Sequence, residues 1–175
     1  RKAAAMLMQT HENRLAALRE ELGRRGLTGF VVPIADEHLS EYVGDYAQRL
    51  HWLTGFAGSA GSAIVLKDQA AIFVDGRYTV QVRDQVDEKL FAYVPLADTS
   101  MTGWIRANAK AGDRIGYDAW LHTRAWAEEA IAAAARKGAL AFARHQRRRL
   151  KGRAVGLEPV QVLAVVVARG VERDP

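Results

Sequence analysis

The stretch RLHWLTGFAGSAGSAIVLKDQAAIFVDGRYTVQVRDQV, residues Arg49–Val86, decides the fold. It places Gly55, Gly58 and Gly61 in one short turn and then reaches DGRY at Asp75 to Tyr78. A phosphate-binding loop needs a strand, a glycine turn carrying Lys-Ser/Thr, and a helix whose amides face the phosphate. Here the turn runs into the β-branched stretch SAIVL and carries no Lys-Ser/Thr. The glycines therefore predict a tight structural turn into a strand from Ala63 to Leu66. Lys67, Asp68 and Gln69 make the next turn, and AAIFVD returns as the second strand of a hairpin. Upstream, RLHWLTGF reads as a helical turn closed by Gly55. Downstream, Tyr78, Val82 and Val86 recur at helical spacing, which favours a helix over a strand.

Working outward, Leu15, Leu18 and Leu22 mark an amphipathic helix from Glu12 that ends near Gly26. TGFVVPI is a short buried strand stopped by Pro33, followed by the long polar loop ADEHLSEYVGDYAQ. KLFAYVPL reads as a strand, SMTGWIRANAKAG as a helix stopped at Gly112, and RIGYD as a strand. TRAWAEEAIAAAARKG is a helix with Thr123 as N-cap and Gly138 as its stop. Strands alternating with helices, one pair joined as a hairpin, predict an α/β domain with a mixed sheet.

The chain has 175 residues, 49% hydrophobic and 26% charged, enough for one sizeable domain and a tail. It contains no cysteine, which excludes disulfides, thiolate metal sites and thiol nucleophiles. The apolar stretch near Ala3 is shorter than a signal-peptide core, and VLAVVVA at Val162 to Ala168 is too short to span a bilayer. A cytoplasmic protein without membrane attachment is expected. The net charge of +5 lies in the tail: residues 1–139 carry 17 Lys+Arg and 17 Asp+Glu, residues 140–175 carry 8 and 3. A neutral body argues against nucleic acid as a partner.

Other chemistry is thin. His11, His38, His51, His122 and His145 do not pair at metal-ligand spacing. His38 with Asp36, Glu37 and Glu41 is the one dense acidic and imidazole group and a candidate metal or catalytic site, but such groups in a polar loop are ordinarily just hydrated. Ser59 and Ser62 do not sit in a GxSxG elbow. Arg77, just past a strand that closes at Asp75, would stand where open α/β sheets bind ligands and could grip a carboxylate. The alternative is a local Asp75/Arg77 pair or cap. Trp52, beside the glycine turn, is the tryptophan whose exposure matters most.

Taken together, SEY, R..WLTGF.GSAG.A and DGRY..Q resemble the N-terminal domain of Xaa-Pro aminopeptidases (aminopeptidase P) of the long three-domain type, in the creatinase/prolidase superfamily. The resemblance covers roughly Leu15 to Phe142. It implies an α/β creatinase N-terminal domain, related to ribonuclease H-like folds, with a mixed sheet flanked by helices. The matching signature residues are Ser40, Glu41, Tyr42, Arg49, Gly55, Gly58, Ser59, Gly61, Asp75, Gly76, Arg77 and Tyr78. It further implies a cytoplasmic, commonly dimeric metallopeptidase that removes the residue preceding proline with two manganese or zinc ions. In that family the metal ligands lie in a separate C-terminal domain, so no metal, cofactor or catalytic residue is assigned in this chain. The expected partners are that catalytic domain or a second subunit, with proline-containing peptides as substrates of the full-length enzyme.

The resemblance makes residues 1–143 the family domain and residues 144–175 an atypical basic and valine-rich tail. Where long-type relatives continue into a linker, RHQRRRLKGR and VQVLAVVV stand here, which suggests a truncated gene or a shifted reading frame near Ala143. The expected function is that of a noncatalytic N-terminal domain, inactive alone, or a truncated form of the enzyme. The alternative is a standalone partner- or peptide-binding module that docks on a separate peptidase domain. His38, Trp52 and Arg77 are the candidates for walling a substrate cleft or forming an interface.

Overall fold

The computed structural model describes residues 10–40 and 42–143. Its elements in chain order are α1 (His11–Arg24), β1 (Gly29–Pro33), α2 (Arg49–Thr54), β2 (Gly61–Leu66), β3 (Ala70–Val74), α3 (Gln81–Gln85), β4 (Ala92–Pro95), α4 (Met101–Asn108), β5 (Arg114–Tyr117), α5 (Arg124–Ala135) and β6 (Leu140–Ala143). Short 3₁₀ turns occupy Asp45–Ala47 and Gly76–Tyr78. The basic and valine-rich tail, like Glu41, lies outside the described residues.

The strands form one sheet in the order β4-β3-β2-β1-β5-β6. The expected hairpin pairs Gly61 with Val74 through Val65 with Ala70, and β2 also runs antiparallel to β1. The pairs β1/β5, β3/β4 and β5/β6 are parallel, so β2 alone opposes the others and the sheet is mixed, as expected. β6 was not anticipated as a strand: LAFA gives no turn signal before the basic cluster, and its pairing with β5 supplies what the local sequence does not.

Period-two alternation sorts the strand side chains onto two faces. Phe30, Val32, Ala63, Val65, Ile72 and Val74 meet Leu15, Leu18 and Leu22 of α1, Leu50 and Leu53 of α2, and Val82 of α3. Val31, Ile64, Leu66, Ala71 and Phe73 meet Trp104 and Ile105 of α4 and Ala130, Ala133 and Ala134 of α5. With both faces covered, β1 and β3 are buried along their whole length, which is why they read as continuous apolar runs.

The helix caps follow the sequence signals. Thr10, Ser100 and Thr123 accept hydrogen bonds from the backbone N–H of Asn13, Gly103 and Trp126. Gly55 ends α2 at φ +85°, the left-handed conformation expected of a closing glycine. One boundary differs: α4 stops at Asn108, because Ala109 is extended, and Gly112 instead makes the turn into β5. The segment after β3 is helical as expected, split into the 3₁₀ turn and the short α3.

The glycine turn and DGRY meet. Phe56 is fully buried, and its ring and that of Tyr78 form a T-shaped pair with centroids 5.6 Å apart at 90°. The Tyr78 hydroxyl is 2.7 Å from Ser59 Oγ. Gly58 lies where these rings leave no room: a Cβ there would run into the Phe56 ring and stand 2.9 Å from Tyr78 Cδ1. A side chain at Gly58 must therefore displace two aromatic rings, one of them in the core. Gly58→Ala is expected to cost about 1–3 kcal/mol in urea unfolding, whereas Tyr78→Phe, which keeps the ring contact, should lose at most about 1 kcal/mol.

The loop after β5 yields a pH prediction. His122 stacks on Trp126 with centroids 4.0 Å apart, and its Nδ1 lies 2.8 Å from the carbonyl oxygen of Asp118. A carbonyl only accepts, so Nδ1 carries the proton, and Nε2 is buried without a hydrogen-bond partner. Burial lowers the His122 pKa from its ordinary 6.5, and burial together with Arg14 and His51 lowers that of His11. The unfolded chain then binds protons that the folded chain refuses, so stability falls as pH drops below 6.5 and is complete above it. Urea midpoints should be lower at about pH 5.5 than at about pH 7.5, and His122→Gln should flatten that dependence.

Candidate functional site

Because β1, β3 and β5 run in one direction, their C-terminal ends open on the same edge of the sheet. Ligands of open α/β sheets bind along such edges. Three connections build the edge here: the long loop after β1, the DGRY turn after β3 and the loop after β5.

The loop after β1 is organised by a buried carboxylate. Asp36 is 4% exposed, and its Oδ1 accepts from the backbone N–H of His38 at 3.0 Å and of Ser40 at 2.9 Å. The Ser40 bond is the main reason its pKa lies below the usual carboxylate value. This tight turn forces Leu39 to φ +53° and turns the rest of the loop outward. The His38 side chain is 75% exposed, with Nε2 4.0 Å from Glu37. Tyr42 is 79% exposed, and Tyr46 reaches Glu37 Oε2 at 3.4 Å. Across the edge, Trp120 is exposed as well.

Arg77 adopts the local arrangement that the sequence left as an alternative. Its Nη2 donates to Asp75 Oδ2 at 2.6 Å and its backbone N–H to Oδ1 at 2.9 Å, so Asp75 both pairs with it and caps the 3₁₀ turn. The paired guanidinium holds the Asp75 carboxyl below its usual range. Arg77 also lies over the Tyr78 ring, 5.3 Å from the centroid, and its side chain remains largely exposed.

Trp52 is half-buried against the core and lines a different feature. A cleft of about 340 Å³ between α1 and α2 is formed by His11, Arg14, Asp45, Gln48, Arg49, His51 and Trp52. Arg14 lies over the Trp52 ring at 5.1 Å and donates to the Trp52 carbonyl at 2.6 Å. Arg49 is only 8% exposed and donates Nη1–H to the carbonyl of Ala35 at 3.3 Å. The three candidates are thus not one constellation: His38 and Arg77 border the sheet edge, and Trp52 borders the cleft.

The sequence pointed to neither the buried Asp36 turn nor the cleft. Asp-x-His-x-Ser spacing could have signalled the turn, since Asp accepts readily from amides two residues on. His11 and Arg14, three apart on a helix, could have signalled a shared face. Chemically, the Ser59 hydroxyl faces a phenol and has no described imidazole partner, which leaves it without a base. Among the described residues no group of three or more His, Cys, Asp or Glu could hold a metal ion. No helix among them is long and apolar enough to cross a membrane.

Comparison with known proteins places these features in a family. Residues 14–149 match the family model of the Creatinase/Prolidase N-terminal domain. The rat (Rattus norvegicus) protein Xaa-Pro aminopeptidase 2 is 38% identical over 108 residues, which are 62% of this chain and 16% of that protein. Probable Xaa-Pro aminopeptidase P of Podospora anserina is 41% identical over 123 residues, 67% of this chain and 18% of that one. This chain therefore spans less than a fifth of the length of these relatives. Among solved structures, the X-prolyl aminopeptidase of Caenorhabditis elegans, described as a cytosolic enzyme with a di-nuclear active site, superimposes with a TM-score of 0.71 at 25% identity, over 77% of this chain and 24% of that chain. A Creatinase/Prolidase-like N-terminal domain from Corynebacterium diphtheriae shares the fold, with a TM-score of 0.57 at 21% identity, over 76% of this chain and 94% of that chain. The chain belongs to the Creatinase/Prolidase N-terminal domain family, and its relatives are Xaa-Pro aminopeptidases.

Proposed function

We propose that this chain is the noncatalytic N-terminal domain of a Xaa-Pro aminopeptidase. In that role it supports a separate catalytic domain that removes the residue preceding proline with a dinuclear manganese or zinc centre. The observation that carries this reading is the extent of the match: the N-terminal family model covers residues 14–149, and the relatives align over 16–18% of their length. A cytoplasmic location and proline-containing peptides as substrates of the assembled enzyme follow from the same reading, supported by the cytosolic description of the Caenorhabditis elegans relative.

In this role the sheet edge faces the catalytic domain or a second subunit. His38, Arg77, Tyr42 and Trp120 supply an exposed imidazole, an exposed guanidinium and two exposed rings there. Aromatic and arginine side chains are the types enriched at protein interfaces. These exposed rings also favour a second reading, a standalone module that docks on a peptidase domain encoded elsewhere.

The purified chain, given manganese or zinc, is expected to show no hydrolysis of a Xaa-Pro peptide above background; turnover would overturn the noncatalytic role. A separately produced Xaa-Pro aminopeptidase catalytic domain should bind it saturably, at concentrations up to tens of micromolar, which corresponds to about −6 kcal/mol. His38→Ala with Trp120→Ala should weaken that binding about tenfold or more, and no binding by the unmodified chain would remove the docking role.

A further inference from the structure

We infer that the cleft between α1 and α2 is a carboxylate-binding site, built on Arg49 and walled by His11, Arg14, His51 and Trp52. The inference does not depend on the peptidase reading, because it rests on an unusual buried charge. Arg49 is 8% exposed, and among the described residues its one hydrogen bond goes to a backbone carbonyl, at 3.3 Å. Burial is the main cause of its lowered pKa, while Asp118, Glu37 and Asp36 act on it from beyond ion-pairing distance. A buried guanidinium ordinarily holds a carboxylate in contact with its fork of donors. Here the remaining donors belong to a residue that lines an open cleft of about 340 Å³.

The other walls suit the same ligand. Arg14 is anchored on the ring and carbonyl of Trp52, which fixes a second guanidinium at the rim without a search through rotamers. His11 and His51 are close enough that His51 lowers the His11 pKa, and His51 Nδ1 lies 3.2 Å from the carbonyl of Gly55. Two arginines stand against Asp45, the one acid that lines the cleft, while Asp118, Glu37 and Asp36 act on Arg49 from outside it, so the cleft favours an anion. The planar fork of Arg49 selects a carboxylate, and Trp52 offers an apolar surface to whatever chain carries it.

Such a carboxylate can come from an acidic side chain of a partner polypeptide or from a small free acid, and one titration separates the two. The 175-residue chain, labelled with ¹⁵N, is titrated with the peptide Ac-Gly-Glu-Gly-NH2, with its Gln counterpart, and with citrate. The indole N–H resonance of Trp52, assigned through Trp52→Phe, is followed. The Glu peptide or citrate should shift it saturably below about 10 mM, and the Gln peptide should not. A tighter Glu peptide identifies a polypeptide side chain as the source, and tighter citrate a free acid. Arg49→Lys should weaken binding about tenfold. His51→Gln, a surface change that leaves the core intact, should weaken it about threefold. The site is disproved if neither carboxylate saturates, if the Gln peptide acts like the Glu peptide, or if His51→Gln binds as the unmodified chain does.

Discussion

The contact between Phe56 and Tyr78 across Gly58 is the constraint from which the arrangement of this domain follows. It joins the turn entering β2 to the turn leaving β3, so the open end of the central hairpin is closed by one aromatic pair. In the hairpin β2 runs antiparallel to β3, and because it also pairs antiparallel with β1, β1 and β3 release their loops on the same edge. Aromatic pairs of this geometry contribute about 0.5–1.5 kcal/mol beyond the area they bury. That is a modest energy, and it acts at the point where the register of the hairpin begins, Gly61 opposite Val74.

The same contact accounts for glycines that at first reading suggest catalysis. Gly58 is needed because two rings occupy the space of its side chain, and Gly55 because α2 must end in a left-handed residue beside the carbonyl of Gln85. Arg77 shows the same economy: its guanidinium closes on Asp75 two residues away and covers the Tyr78 ring, which stiffens the turn that carries the ring.

Much of this was legible in the sequence, because the deciding signals are local. Three-and-four spacing of leucines gave α1, Thr123 and Gly138 bracketed α5, and the Lys67–Gln69 turn between two apolar runs gave the hairpin. What was missed depends on tertiary partners. β6 is a strand because β5 offers it a parallel edge, and α4 ends early because Ala109 turns into an extended connection that has no glycine or proline to announce it. The site was less legible than the fold. Sequence could nominate His38, Trp52 and Arg77 one at a time, but it could not show that Asp36 turns His38 outward, that Arg77 is held by Asp75, or that Trp52 shares a cleft with the buried Arg49.

The picture that results is a domain whose glycine turn and DGRY pack together and whose exposed edge and basic cleft remain open to other molecules. Its central claim, that the glycine turn and DGRY form one packing unit, can be measured by a double-mutant cycle on Phe56→Leu and Tyr78→Leu in urea unfolding. The account predicts that the two substitutions are coupled by about 0.5–1.5 kcal/mol. Strictly additive losses would contradict it, since they would mean that the two motifs are stabilised independently.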